Sequence, residues 1–211
     1  MIPLVLSPSG LQLGLIGAGA PALRRWRGLH NAGAGESLQV FTTDPELLML
    51  AGPNGIPRWP EPEEIKALNL LWVAGVEEAL YRPWAALARA NKVLLNVEDV
   101  PAFCDFNSVA EIRRGDLLLT VSTNGQAPGL ARTLRKRLEI CFPENWAARV
   151  KHIATLRRAW QKDALPMAEI SQRIEALVGE RCWLSCPSSS ATQTQMPDQE
   201  SSGQPLLSPD S

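Results

Sequence analysis

Leu15-Ile16-Gly17-Ala18-Gly19-Ala20-Pro21-Ala22 decides how this chain is read. It has the form Gly-x-Gly-x-x-Ala. Before it runs an apolar stretch, Leu11 to Ile16; after it comes Pro21 to Ala32, whose Leu23, Trp26 and Leu29 recur at helical spacing. In that setting Gly17 permits a tight turn, Gly19 lets the backbone approach a pyrophosphate, and Ala22 allows close helix–strand contact. Free amides at the helix start, with the helix dipole behind them, favour a phosphate's charge. Pro21 sits in the first turn, where no hydrogen bond is lost. A glycine turn alone is common; strand, turn, helix and second strand together point to a dinucleotide. Gly17, Ala18, Gly19, Ala20 and Pro21 are therefore cofactor-binding candidates.

Reading outward, Ser37 to Thr42 forms the next strand. Dinucleotide folds often end that strand in an acid that holds the ribose hydroxyls, but here Phe41-Thr42-Thr43-Asp44 stands, with the acid late. Either Asp44 reaches the ribose or the Thr42 and Thr43 hydroxyls do so more weakly; equally, Asp44-Pro45 caps the helical turn that follows. No Arg or Lys lies between Phe41 and Leu50, so a ribose 2′-phosphate lacks a partner and NAD is favoured over NADP. After a Pro-rich segment, Pro53 to Pro62, the run Leu70 to Ala74 is another buried strand, with Ala74 and Gly75 at its cofactor end. Tyr81 to Asn91 reads as a helix and Lys92 to Val97 as a strand. Ile2 to Leu6 reads as a short apolar strand at the start. Strands alternating with helices predict a doubly wound parallel sheet.

Beyond Pro101 the pattern changes. Asp116 to Ser122 is strand-like, and Pro128 to Cys141 is an amphipathic helix with Leu130, Leu134 and Leu138 on one stripe. This unit is too small to bury its own face, so packing on a partner chain or a third unit is expected. Pro143 to Leu184 is mostly helical. From there on Ser, Thr, Gln and Pro dominate, the composition of a disordered tail.

The 211 residues leave room for one α/β domain and a smaller appendage. A net charge of −1 argues against attraction to nucleic acid or to a membrane surface. No apolar run approaches the roughly 20 residues of a membrane helix, and Met1-Ile2-Pro3 does not open a signal peptide. A cytoplasmic protein is expected, with its four cysteines reduced. Cys182 and Cys186 lack a second Cys/His pair nearby, so no permanent metal site is expected. His30 reads as structural.

Asn96-Val97-Glu98-Asp99-Val100-Pro101, Cys104-Asp105-Phe106, Ser122-Thr123-Asn124-Gly125 with Ala127-Pro128, and Leu130-Ala131-Arg132 resemble the precorrin-2 dehydrogenase/sirohydrochlorin ferrochelatase family, the N-terminal module of siroheme synthase. The similarity runs from about Ile2 to Leu184. It implies NAD-dependent oxidation of precorrin-2 to sirohydrochlorin, and secondarily insertion of ferrous iron, which would be a substrate. It also implies a Rossmann-like parallel sheet (1–112), a small α+β dimerisation unit (113–143), a C-terminal helical unit (144–184), a tail (185–211) and a homodimer. By position Asp99 matches the family's catalytic aspartate at a strand end, where ligands of open α/β sheets bind; the bland reading is a turn cap before Pro101. Glu98 beside it reads as structural or solvated.

Asn96, Ser122, Thr123, Asn124, Gly125 and Arg132 are the implied contacts for a polycarboxylate tetrapyrrole, because hydroxyls and amides leading into a helix hold anions. Arg135, Lys136 and Arg137 read as a solvated face, and His152 as an outside candidate for lining the cleft. Relatives carry Thr-Asp-Asp where Gly75-Val76-Glu77 stands, and an apolar residue and proline where Asn107-Ser108-Val109 follows Phe106. These departures bear on the cofactor contacts and the pocket shape. A noncatalytic NAD-binding, redox-sensing module is the competing class.

Overall fold

The computed structural model describes residues 2–186. The chain divides into two compact units, with the division between Val109 and Ala110.

The first unit runs β1 (Leu13–Gly17), α1 (Gly19–Asn31), β2 (Leu38–Phe41), α2 (Pro45–Ala51), β3 (Gly55–Ile56), α3 (Pro62–Lys66), β4 (Leu70–Ala74), α4 (Glu78–Ala90) and β5 (Leu94–Val97). The strands form one sheet in the order β3-β2-β1-β4-β5, with every neighbouring pair parallel. The predicted doubly wound, Rossmann-like sheet is therefore present. Strands buried on both faces read as continuous apolar runs because alternate residues serve opposite faces. Leu15, Val40 and Trp72 join a core with Ala22 and Leu23 of α1, while Ile16, Phe41 and Val73 join another with Tyr81 and Ala85 of α4.

The second unit holds a hairpin of β6 (Ala110–Arg114) and β7 (Leu117–Val121), then α5 (Pro128–Cys141), α6 (Trp146–Lys162) and α7 (Met167–Glu180). Helix α5 has the bounds expected from its sequence. Among the described residues few side chains are buried here; the principal ones are Ile112, Ala131, Trp146 and Ile170. Trp146 packs against Phe142 and Trp183, and the Arg149 guanidinium lies 5.0 Å from the Trp146 and Trp183 rings. Leu130 and Leu134 stay exposed on α5.

Two expectations need correction, and one strand lies outside what the sequence pattern shows. Ile2 to Leu6 is not a strand: the segment is unpaired, with Ile2 and Val5 each 83% exposed. Apolar composition does not make a strand without a ladder, and this segment pairs with neither edge strand, β3 or β5. Strand β6 went unread because Glu111, Arg113 and Arg114 give it a polar look. Cys141 and Cys186 are not reduced thiols: they form a disulfide with Cα atoms 4.5 Å apart. Ser185 and Cys186 are thus tied to the second unit, while residues 187–211 of the expected tail lie outside the described residues.

Candidate functional site

Three strand ends meet at the C-terminal edge of the first unit's sheet. The Ala18 amide donates to Ala74 O at 3.2 Å, and the Glu98 amide donates to Val73 O at 2.9 Å. The glycine turn, the end of β4 and the end of β5 are therefore side by side. At the spacing of adjacent strands, two steps across the sheet separate the glycine turn from Asp99 by ~10 Å.

The backbones here pack too closely for side chains. A Cβ on Gly17 would fall 2.4 Å from Ala74 O. On Gly75, which has φ +66°, it would fall 2.2 Å from Ala18 O. The departure at Gly75 is thus a packing requirement of this chain, with β4 pressed against the turn. Gly19 and Ala20 open α1 and are exposed, and Pro21 lies in its first turn. The dipole and the Ala20 end of this 13-residue helix suit the diphosphate of a dinucleotide, while the Gly19 amide is engaged by Asp44.

Asp44 caps α2, its Oδ1 accepting from the Glu46 amide at 2.9 Å and the Leu47 amide at 3.3 Å. It also reaches back to the glycine turn, where Oδ2 accepts from the Gly19 amide at 2.7 Å. The Gly19 amide is the largest cause, with those of Leu47 and Glu46 adding to it, of a carboxyl pKa below its ordinary value, against the opposing effect of desolvation. Thr42 is fully buried and its Oγ1 accepts from the Asp44 amide at 3.0 Å, so it orients the acid; Thr43 is exposed.

Asp99 sits past β5 in the left-handed region, φ 63°, and is exposed. Asn96, on β5, is 6% exposed, and its Nδ2 donates to Phe106 O at 2.8 Å. Its amide group thereby buttresses the loop after Cys104. Asp105 does the same from the other side, accepting from the Leu95 amide at 2.9 Å.

The remaining candidates belong to the second unit. Asn124 (φ 52°) and Gly125 (φ 73°) are the left-handed centre of a turn closed by the Gln126 amide on Thr123 O at 2.9 Å. The Thr123 hydroxyl accepts from the Ala127 amide at 3.2 Å, ahead of the first turn of α5. Ser122 Oγ faces the Asn124 amide at 3.4 Å. Arg132 is exposed on α5, whereas Arg135 pairs with Glu139. His152 is exposed, and His30 stacks on Trp26 with ring centroids 4.8 Å apart.

Arg24 and Arg25 carry no motif in the sequence, and Cys104 and Ser108 figure there only within the Cys104-Asp105-Phe106 motif and the departure after Phe106. Arg24 and Arg25 of α1 face Glu98, and Arg25 Nη1 donates to Ser108 Oγ. The Cys104 thiol donates to Val97 O at 3.2 Å. Only the adjacency of two cations on the helix after the glycine turn hinted at this cluster.

A family model described as "Putative NAD(P)-binding" matches residues 4–110, and one described as "Sirohaem biosynthesis protein central" matches residues 114–139. Siroheme synthase of Methylococcus capsulatus is 31% identical over 160 residues, 74% of this chain and 34% of that protein. Siroheme synthase of Ectopseudomonas mendocina is 34% identical over 146 residues, 69% of this chain and 32% of that protein. That of Nitrosococcus oceani is 31% identical over 183 residues, 85% of this chain and 37% of that protein. The chain spans about a third of the length of these relatives. The solved structure of SirC, a precorrin-2 dehydrogenase, has the same fold: TM-score 0.69 at 19% identity, covering 88% of this chain and 93% of that one.

Proposed function

Because this chain belongs to the NAD(P)-binding family matched over residues 4–110, we propose that it carries out the NAD-dependent oxidation of precorrin-2 to sirohydrochlorin. The observation that carries the reading is the crowding of Gly17, Gly75 and the Glu98–Asp99 turn along one edge of the sheet. It leaves the start of α1, with Asp44 on its Gly19 amide, beside the uncommitted Asp99 carboxylate. The siroheme synthases among its relatives support the choice of substrate.

When bound, the nicotinamide supplies the hydride acceptor. The Gly19 amide is taken by Asp44, so the Ala20 amide and the dipole of α1 would hold its diphosphate, and Asp44 and Thr43 would serve the ribose. The lack of any cation from Phe41 to Leu50 favours NAD over NADP. Oxidation releases a proton along with the hydride, and Asp99 accepts it; a hydrated, unpaired carboxylate at a strand end is suited to that transfer. Thr123, Asn124 and Arg132 hold substrate carboxylates, while Asn96 supports the pocket wall through Phe106 O. Insertion of ferrous iron is a secondary activity of the same carboxylate.

The protein works as a cytoplasmic homodimer, joined through residues 113–143 by the exposed Leu130 and Leu134 stripe of α5, with residues 144–184 as a separate helical unit. The test is anaerobic incubation of the full chain with precorrin-2 and NAD. The sirohydrochlorin absorption spectrum should grow together with NADH. NAD binding without turnover would replace the enzyme with a redox-sensing module.

A further inference from the structure

We propose that Glu98, clamped between Arg24 and Arg25, is a positioning residue that anchors the Val97–Val100 turn and so sets the place of Asp99. The role rests on the dehydrogenase reading, in which Asp99 takes the proton.

The turn is closed by the Val100 amide on Val97 O at 3.1 Å, with Glu98 and Asp99 at its centre. Asp99 takes a left-handed conformation there, φ 63°. Asp tolerates that region better than most residues, but the conformation persists only where its surroundings hold it. Two main-chain holds are present: the Glu98 amide on Val73 O at 2.9 Å, and the Cys104 thiol shared between Val97 O at 3.2 Å and Val100 O at 3.4 Å. The third hold is the Glu98 side chain. Its Oε1 lies 3.6 Å from Arg24 Nη2 and its Oε2 lies 4.0 Å from Arg25 Nη2. Arg25 is itself oriented by donating Nη1 to Ser108 Oγ.

These contacts are poor candidates for a stability device. Both separations exceed hydrogen-bond length, and Arg25 Nε and Glu98 Oε2 are buried with no hydrogen-bond partner. Side chains of Glu98 and Arg25 are only 19% and 20% exposed, so desolvation opposes the Coulomb gain. What the cluster does supply is direction. Two cations on α1, the helix that opens the cofactor turn, draw back the carboxylate next to Asp99. Glu98 is thereby held against α1, and Asp99 is left exposed. The helix mouth and the proton acceptor become one mechanical unit.

The test uses the full chain carrying Glu98→Gln, Glu98→Ala, Arg24→Ala or Arg24→Lys. Three quantities are read: amide hydrogen exchange at Val100, the NAD dissociation constant, and kcat and KM for precorrin-2. Glu98→Gln keeps the shape and removes the charge. It should speed Val100 exchange by about tenfold and lower kcat by about tenfold, with NAD affinity unchanged within about twofold. Arg24 is 62% exposed, so its variants should fold. Arg24→Ala should show a weaker form of the same effects and Arg24→Lys should restore wild-type values.

Unchanged Val100 exchange in Glu98→Gln overturns the anchoring role whatever the kinetics. Faster exchange with wild-type kcat overturns the positioning role. If Glu98→Ala does not fold, Glu98→Gln and the Arg24 pair decide. A wild-type protein that binds NAD but leaves precorrin-2 untouched defeats the dehydrogenase reading, while the exchange measurement still decides whether Glu98 anchors the turn.

Discussion

Asp44 Oδ2 and the Gly19 amide, 25 residues apart in sequence, are joined by a hydrogen bond of 2.7 Å. One carboxylate thus ties the start of α2 to the glycine turn that opens α1. The carboxyl pKa is depressed in the folded protein, chiefly by Gly19 and then by Leu47 and Glu46. Its stabilising contribution is therefore fully present above the ordinary value of 3.8 and is lost as the pH falls through the lower folded value. Thermal melts between about pH 2 and pH 6 should show this loss in the wild type. Asp44→Asn should flatten that part of the profile and loosen NAD binding. An unaltered acid limb in the variant would remove Asp44 from the account.

Two glycine-to-alanine substitutions should act in opposite directions. Gly75→Ala drives a Cβ into Ala18 O from a backbone at φ +66°. It should destabilise the first unit by about 2–4 kcal/mol and weaken NAD binding, because the turn must shift. Gly28, an exposed position inside α1, has nothing within 4 Å of such a Cβ. Gly28→Ala should therefore stabilise by about 0.5–1 kcal/mol. Chemical denaturation of the two variants separates close approach from mere helix propensity.

The parts of this fold that the sequence made legible are those governed by local pattern. Leu15 and Ile16, Val40 and Phe41, and Trp72 and Val73 form apolar runs because both faces of the sheet are covered, and the glycine turn is recognised by its neighbours on either side. Helix α5 follows from its leucine stripe and Pro128. What stayed hidden depends on partners distant in the chain. Ile2 to Leu6 has strand composition but pairs with neither edge strand of the sheet. Strand β6 is polar yet is paired by β7 from Ala110 opposite Val121 to Arg114 opposite Leu117. Asp44 bonding Gly19, Glu98 facing Arg24, and Cys141 meeting Cys186 are likewise tertiary contacts that no spacing announces.

The Cys141–Cys186 disulfide closes a loop with a sequence separation of 45, encompassing α6 and α7. On the chain-entropy account, such a closure contributes up to about 4 kcal/mol. Because the second unit buries few side chains, that share is large for it. Reductant should lower its melting transition, and a Cys141→Ser/Cys186→Ser variant should melt at the reduced value with or without reductant. Cys182→Ser should leave the oxidised transition in place. Equal melting of oxidised and reduced wild type would show that the closure contributes nothing.

Leu130 (52% exposed), Leu134 (43%) and Ile140 (52%) are large apolar side chains left open on α5. A second copy of the chain covering them would explain why so small a unit leaves this face unburied. Leu134→Asp should then convert a dimer to a monomer by sedimentation equilibrium. The melting temperature at low protein concentration should change little, because the position is already exposed within the chain. A wild-type protein that sediments as a monomer at micromolar concentration would end the dimer proposal.

On the proposed reading Asp99 takes up the proton, and its substitution separates chemistry from binding. The residue lies past β5, and the Glu98 amide is anchored on Val73 O, one strand away from the glycine turn. Truncating this exposed side chain loses no burial, but Ala tolerates φ 63° less well than Asp, so stability should fall by about 1 kcal/mol at most. The proposed cofactor contacts lie at the glycine turn, at Thr43 and Asp44 and at the end of β4, so NAD affinity should stay within about twofold. If Asp99 accepts the proton released on oxidation, Asp99→Ala should lower kcat by about 100-fold or more, in the range expected for loss of a general base. Asp99→Asn should do nearly the same despite keeping the shape, because an amide cannot take up a proton at neutral pH. Equal loss in both variants, with KM little changed, assigns the effect to proton transfer. A full rate in Asp99→Asn would reduce Asp99 to the turn cap that its position before Pro101 also allows.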